Sequence, residues 1–305
     1  MYKIVFLFGL ALSGASALPS DSLADKHLVR DYHEAGNTQF PFMASLQKLH
    51  EPVPRRAHVC AGVLVSLQHV LTAASCLRDT ATGTIQPIEA NRYRVFAGNR
   101  NINNILDPNR FRLIANYTIH PGYEASPSHF NDIGIIALTT PFVSSNTLQP
   151  LSLPPQNHRP QESSSSCTVS GWGDMSGIIP FNPNLKYVNK VLLTQPECTT
   201  QSAVFEYPAV TSSMVCAAPT ENSITGCQAD VGNPLVCNGQ LVGLLFHSDK
   251  CSVSTDPQLY TRVSNYTTWI EEFTGLSSSS STFQPSVAFV FIFAVAQIVT
   301  SKFSY

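Results

Sequence analysis

Short runs rich in valine, isoleucine, leucine and aromatic residues recur along the middle of the chain, with glycine, proline and asparagine between them. Such runs predict β-strands. Many short strands separated by turn residues are typical of an antiparallel barrel or sandwich. The predicted strands are residues 42–46, 61–65, 93–98, 133–138, 168–173, 240–246 and 258–263. Residues 265–273 have instead the spacing of one amphipathic helix that closes this region.

The first seventeen residues have the pattern of a secretory signal. Lys3 precedes an apolar run that ends at Leu12, and small residues stand at Ala15 and Ala17. An apolar run of that length before two small residues predicts cleavage after Ala17. We therefore expect a secreted protein, with residues 18–30 as a short leader and with its cysteines paired in an oxidising compartment.

The last residues, 276–305, differ in composition from the rest of the chain. Five consecutive serines at 277–281 are followed by a polar spacer and by thirteen residues, 287–299, that are apolar except for Gln297. This is short of the roughly 20 residues that a membrane-spanning helix needs. The pattern is typical of a signal for a glycolipid (GPI) anchor on one of the serines. A tilted single span and a tail without a role are the alternatives.

Composition limits the classes of partner. The chain has 305 residues, of which 43% are hydrophobic and 12% charged, and its formal net charge is -2. The hydrophobic share suffices for a substantial core. Arg55-Arg56 is the densest basic spot and no basic stripe accompanies it, so we expect no nucleic-acid partner.

The eight cysteines leave many pairings open, on the order of a hundred. No Cys-x-x-Cys occurs and the histidines are not grouped near the cysteines, so we expect no metal site. We also expect no cofactor. Two Asn-Tyr-Thr sequons, at Asn116 and Asn265, are predicted glycosylation sites in a secreted chain, although a sequon can stay unused.

Three motifs carry a family resemblance. Residues 227–237 read Cys-Gln-Ala-Asp-Val-Gly-Asn-Pro-Leu-Val-Cys. They resemble the nucleophile segment of the trypsin/chymotrypsin-like serine proteases, in which serine stands in place of Val231. Residues 71–76 resemble that family's Leu-Thr-Ala-Ala-His-Cys and residues 131–138 its Asn-Asp-Ile-Ala-Leu-Leu strand.

The resemblance covers roughly residues 28–275 and implies an all-β fold. Two six-stranded antiparallel β-barrels with a C-terminal helix are expected over residues 31–275. The cysteine positions match those of the family, which implies four disulfides: Cys60–Cys76, Cys167–Cys237, Cys198–Cys216 and Cys227–Cys251.

The same alignment implies a degenerate catalytic triad. Val231 replaces the nucleophilic serine and has no proton for a base to remove. Ser75 replaces the histidine that acts as general base, and it cannot titrate near neutral pH. Asp132 is retained. We expect this carboxylate to bond to Ser75, to bind water or to take up a proton, because an unpaired buried charge is costly.

The substrate-binding side of the cleft also departs from the family. Thr225 replaces the residue at the base of the specificity pocket, while Ser248 and Gln258 replace the two wall glycines. The Gln258 side chain is expected to block the pocket. Phe246 stands where the family has a serine that bonds the triad aspartate, and its ring is expected to fill the space of the missing imidazole. Ala229 replaces an oxyanion-hole glycine and restricts the backbone there.

These changes favour a protein that keeps the fold without the chemistry. We expect a non-catalytic serine protease homologue that binds an extracellular protein through loops around the former cleft, such as 47–58, 99–110 and 173–183. It is expected in extracellular fluid or, with the anchor, at the cell surface. The alternative is a hydrolase with a displaced nucleophile, Ser75 or Ser248, and His247 as its base.

Overall fold

The computed structural model describes residues 33–52, 57–79, 85–125, 128–163, 166–173, 183–204, 209–220, 231–247 and 257–277. These residues form two closed barrels of six antiparallel strands each. The fold class predicted from the family resemblance is confirmed. The signal, the leader and all but the first two residues of the tail lie outside the described residues.

The first barrel is built from six strands that pair in the order β2-β3-β4-β9-β8-β7, with β7 closing onto β2. Alternate side chains of these strands point into one apolar interior, as a closed sheet requires. The strands are β2 (Met43–Lys48), β3 (His58–Leu64), β4 (His69–Thr72), β7 (Tyr93–Ala97), β8 (Phe111–Ile119) and β9 (Gly134–Leu138). A two-stranded ribbon of β5 (Arg78–Asp79) and β6 (Gln86–Pro87) lies between β4 and β7 in sequence.

The second barrel follows in sequence and pairs in the order β11-β10-β13-β14-β15-β12, closed by β12 onto β11. A short N-terminal strand, β1 (His33–Glu34), joins the free part of the β11 edge. The strands are β10 (Ser166–Gly171), β11 (Lys186–Leu192), β12 (Met214–Pro219), β13 (Pro234–Cys237), β14 (Gln240–His247) and β15 (Gln258–Arg262).

Two α-helices lie in the second half of the described chain. Helix α1 (Gln195–Val204) begins with a capping box, in which the Thr194 N–H donates to the Glu197 carboxylate and the Glu197 N–H donates to the Thr194 hydroxyl. Helix α2 (Thr267–Thr274) is the predicted closing helix. It begins two residues later than expected because Val263–Asn265 forms a 3-10 turn.

Three of the implied disulfides are formed: Cys60–Cys76, Cys167–Cys237 and Cys198–Cys216. The first ties β3 to the turn that follows β4, and the second joins the paired strands β10 and β13. The fourth implied pair, Cys227–Cys251, lies outside the described residues. The described cysteines are therefore paired as the family resemblance implies.

Candidate functional site

The three triad positions lie beside the seam between the barrels. Ser75 lies in a 3-10 turn (Ala74–Leu77) that follows β4, and Asp132 comes shortly before β9. Both belong to the first barrel. Val231 comes from the second barrel, in the turn that precedes β13. Its carbonyl oxygen accepts a hydrogen bond from the Ala61 N–H at 3.0 Å, which holds the turn against β3.

Asp132 is fully buried, at 0% exposure. The backbone N–H of Ser75 donates to its Oδ1 at 2.8 Å. A hydrogen bond to a charged acceptor is stronger than one between neutral groups, so this contact stabilises the carboxylate. The Asp132 carbonyl oxygen also accepts from the Thr261 hydroxyl at 2.9 Å, a contact that crosses from one barrel to the other.

His129 occupies the other side of this carboxylate. Its Nδ1 lies 3.8 Å from Asp132 Oδ2, which is ion-pair range when the imidazole is protonated but too long for a hydrogen bond. The His129 ring stacks on Phe246, with 5.7 Å between centroids and 27° between planes. Phe246 is itself buried. A stacked pair of aromatic rings therefore adjoins the retained carboxylate.

His129 was not predicted from the sequence as a site residue. It lies three residues before Asp132, and its backbone has φ 50°, in the left-handed region. Side-chain direction at such a residue does not follow from the period of a strand or helix, because it belongs to neither. A histidine this close to a triad position was the available signal.

The Ser75 hydroxyl is not hydrogen-bonded to a base in the described part of the chain. Its Oγ is buried and forms no hydrogen bond there. A serine becomes a nucleophile when an adjacent base accepts its proton. His247 ends strand β14, and Ser248 lies outside the described residues, so the predicted Ser248–His247 pair is not placed by the structure.

Gln258 is at the start of β15 and is buried, at 3% exposure. Its Oε1 accepts a hydrogen bond from the Tyr260 hydroxyl at 2.8 Å. The amide is thus held inside the protein instead of pointing into solvent. The other predicted departures on this side, Thr225, Ala229 and Ser248, lie outside the described residues.

The negative charge of Asp132 reaches the neighbouring tyrosines. Burial, with a smaller contribution from Asp132, raises the pKa of Tyr123 to about 12. Burial also raises the pKa of Tyr266, and the charge of Asp132 adds to this increase. Both phenols stay protonated near neutral pH, so neither is a base for the Ser75 hydroxyl.

The remaining predicted sites lie on the surface. Asn116 is exposed on β8, and Asn265 lies in a 3-10 turn, where its Nδ2 donates to the Ser212 carbonyl at 3.5 Å. Among the described residues there is no group of three histidine, cysteine or acidic side chains arranged to hold a metal ion. Nor does this part of the chain contain a helix long and apolar enough to cross a membrane.

The double barrel, with the triad positions beside the seam, defines a class, the chymotrypsin-like serine protease fold. The family model described as Trypsin matches residues 29–270. The chain is 32% identical to human Trypsin-3 over 266 residues, which are 87% of this chain and 77% of the relative. It is 31% identical to chicken Trypsin II-P29, covering 88% of this chain and 98% of the relative, and 31% identical to human Kallikrein-14, covering 88% and 92%. The chain belongs to the trypsin family.

Proposed function

We propose that this trypsin-family protein is catalytically inactive and acts by binding an extracellular protein. The observation that carries the proposal is Val231, whose isopropyl side chain occupies the position of the attacking hydroxyl. In the serine protease mechanism the hydroxyl, the imidazole and the carboxylate act as a unit. Loss of one member lowers the rate by several powers of ten. Here two of the three are absent.

The surroundings of the former triad support the same conclusion. The Asp132 carboxylate is engaged by the Ser75 N–H, and the His129–Phe246 ring pair adjoins it. His129 provides an imidazole near the carboxylate, yet the residue at position 231 offers it no proton to transfer. The ring pair therefore lies on the Oδ2 side of the Asp132 carboxylate, an oxygen that forms no hydrogen bond with a described residue.

A binding role in the extracellular space fits the chemistry of the rest of the chain. Disulfides persist in oxidising compartments, and the described part of the chain has three. The named relatives are two trypsins and a kallikrein. A rigid disulfide-linked scaffold presents its loops at fixed positions, where recognition is commonly located. Glycans on Asn116 and Asn265, and the anchor on 277–281, remain predictions.

The test is covalent labelling of the purified, full-length secreted protein with a fluorophosphonate, which reacts with activated serines. We expect no labelling under conditions in which an active trypsin is labelled stoichiometrically. Mass spectrometry of any adduct identifies the serine concerned. Stoichiometric modification of Ser75 or Ser248 overturns the proposal and establishes the displaced-nucleophile hydrolase.

A further inference from the structure

A hollow of about 340 Å³ opens on the first barrel, and none of the triad residues lines it. Its volume is in the range of sites that hold small ligands or single peptide side chains. It lies between the loop that leads into β8 and the segment that follows Phe142. The lining includes Asp107, Arg110, Arg112, Val143, Ser144 and the buried Leu148.

Two guanidinium groups are held in fixed positions at this hollow. Arg110 donates from Nε to Asp107 and from Nη1 to the Thr147 hydroxyl, each at 3.2 Å. Arg112 donates from Nε to the Pro141 carbonyl and from Nη1 to two more carbonyls, and its guanidinium lies 4.6 Å from the centroid of the Phe142 ring. These contacts leave Nη2 of each arginine without a hydrogen bond to a described residue. Donors that are fixed beforehand lose little conformational entropy when they bind.

The charge at the hollow is positive. Asp107 is the acidic residue in the lining, and it is committed to its own loop. A hydrogen bond from the Asn109 N–H, followed by the charge of Arg110, lowers the pKa of Asp107. Arg112 has no acidic partner among the described residues, and its hydrogen bonds all go to carbonyl oxygens. An anionic group therefore fits this surface better than a cationic or neutral one.

An apolar flank accompanies the two arginines. Val143 lines the hollow and is 80% exposed, and Leu106, next to Asp107, is 90% exposed. Leu148 forms part of the floor. A sulfated polysaccharide has no apolar group for this flank. It favours a strongly basic surface, and the formal net charge of this chain is -2. A peptide can supply a carboxylate and an aliphatic side chain together.

We propose that this hollow binds an acidic segment of an extracellular protein, with a carboxylate on Arg110 and Arg112 and an adjacent aliphatic side chain against Val143. The inference rests on the proposed binding function and gives the chemistry of the partner. Of the three loops expected to bind a partner, it selects 99–110, together with the segment 143–148.

The test is fluorescence anisotropy with the full-length protein and a labelled peptide, Gly-Glu-Leu-Asp-Leu-Gly. We expect a dissociation constant on the order of 10⁻⁴ M, as suits a small contact area. Ser144 is exposed and has no hydrogen bond to a described residue, so Ser144→Glu adds a negative charge with little effect on folding. It should weaken binding at least about tenfold, and Val143→Ser should weaken it less.

The matched control is Ser152→Glu, the same change at an exposed serine outside the hollow, which should leave affinity unchanged. Equal weakening by Ser144→Glu and Ser152→Glu overturns the inference. Equally tight binding of the neutral peptide Gly-Gln-Leu-Asn-Leu-Gly does so too. If the acidic peptide does not bind, while a heparin fragment binds and Ser144→Glu abolishes that binding, the inference is overturned. The ligand of the hollow is then a polysaccharide. Serine labelling in the preceding experiment refutes the non-catalytic role without affecting these titrations.

Discussion

A buried carboxylate keeps its position in this protein although the imidazole that it serves in active relatives is absent. Asp132 and its two replaced partners could be identified from the sequence because each lies within a motif that resembles one of the family's. The motifs did not identify His129, which reaches the carboxylate from an irregular segment with a left-handed backbone. A sequence motif locates the residues that belong to it. Contacts made by a residue in a loop depend instead on backbone angles, which the spacing of apolar residues does not predict.

The burial of Lys190 was not predicted from the sequence either. It lies on β11 with 1% exposure, and its Nζ forms no hydrogen bond with a described residue. Burial lowers its pKa to about 8 from the ordinary value of 10.5. The unfolded chain therefore binds this proton more tightly than the folded protein does. Protonation of Lys190 opposes folding at neutral pH.

Lys190→Met should stabilise the protein at pH 7 by on the order of 3 kcal/mol, because the unpaired buried charge is removed. In the wild type, stability lost to Lys190 is recovered as pH rises from about 8 towards 10.5, since the unfolded state holds more protons in that window. The difference in the free energy of unfolding between Lys190→Met and the wild type should therefore decrease over that range. Urea unfolding at pH 7, 8.5 and 10 measures it.

The control for this experiment is Lys48→Met, at an exposed lysine on β2, which should change stability little at any of these pH values. A gap between Lys190→Met and wild type that stays constant from pH 7 to 10 contradicts a lowered lysine pKa.

At the scale of elements, the sequence pattern predicted strands β2, β3, β7, β9, β10, β14 and β15 and missed the others. Strand β11 was missed because its inward positions alternate Lys186, Val188, Lys190 and Leu192, so two interior sites carry charged residues. Helix α1 was missed as well, although its Thr-x-x-Glu capping box stands in the sequence. Predicted strand ends differ from the observed ends by a few residues, since pairing partners rather than apolar content decide where a strand ends.

The turn before β13 depends on Gly232. Its φ is +88°, and a Cβ there would collide with the Ala61 carbonyl oxygen and the Thr72 hydroxyl. Gly232→Ala should therefore lower the free energy of unfolding by about 3 kcal/mol or more, from backbone strain and steric conflict together. Chemical denaturation of the purified variants gives the value.

Gly239 offers a matched control for that substitution. It has φ +77°, but a Cβ there meets nothing within 4 Å. Gly239→Ala should cost only about 1 kcal/mol, from the backbone conformation alone. Equal losses for the two substitutions contradict the claim that contact with β3 constrains the turn.

At the scale of the whole molecule, the family resemblance was sufficient to predict both barrels and the described disulfides. It could not predict which surface binds a partner. The hollow at Arg110 and Arg112 is formed by segments that are distant in sequence, 107–112 and 143–148. Its shape depends on how the loops pack, which neither motif nor composition determines.

Restoring the triad alone should not restore an enzyme. We expect the double variant Ser75→His, Val231→Ser to show no fluorophosphonate labelling, because the Phe246–His129 ring pair crowds the carboxylate that must orient the new imidazole. Adding Phe246→Ser should permit labelling of the serine at 231. Cleavage of an arginyl amide substrate should stay at background while Gln258 remains, because its side chain is expected to block the specificity pocket.

The control is the variant Ser75→Ala, Val231→Ser, Phe246→Ser, which lacks an imidazole at 75 and should not be labelled. If the double variant is labelled as fast as the triple variant with histidine, Phe246 does not obstruct the site.

The bonds that join the barrels beside the former triad bear on how the protein could have evolved. Ala61 N–H donates to the carbonyl of Val231, and the Thr261 hydroxyl donates to the carbonyl of Asp132. Both acceptors are main-chain groups, which every amino acid provides. The side chain at 231 could therefore change without the loss of a bond between the barrels. An ancestor that had lost the need to cut could pass through such replacements one at a time, each intermediate still folded and open to selection for a new partner.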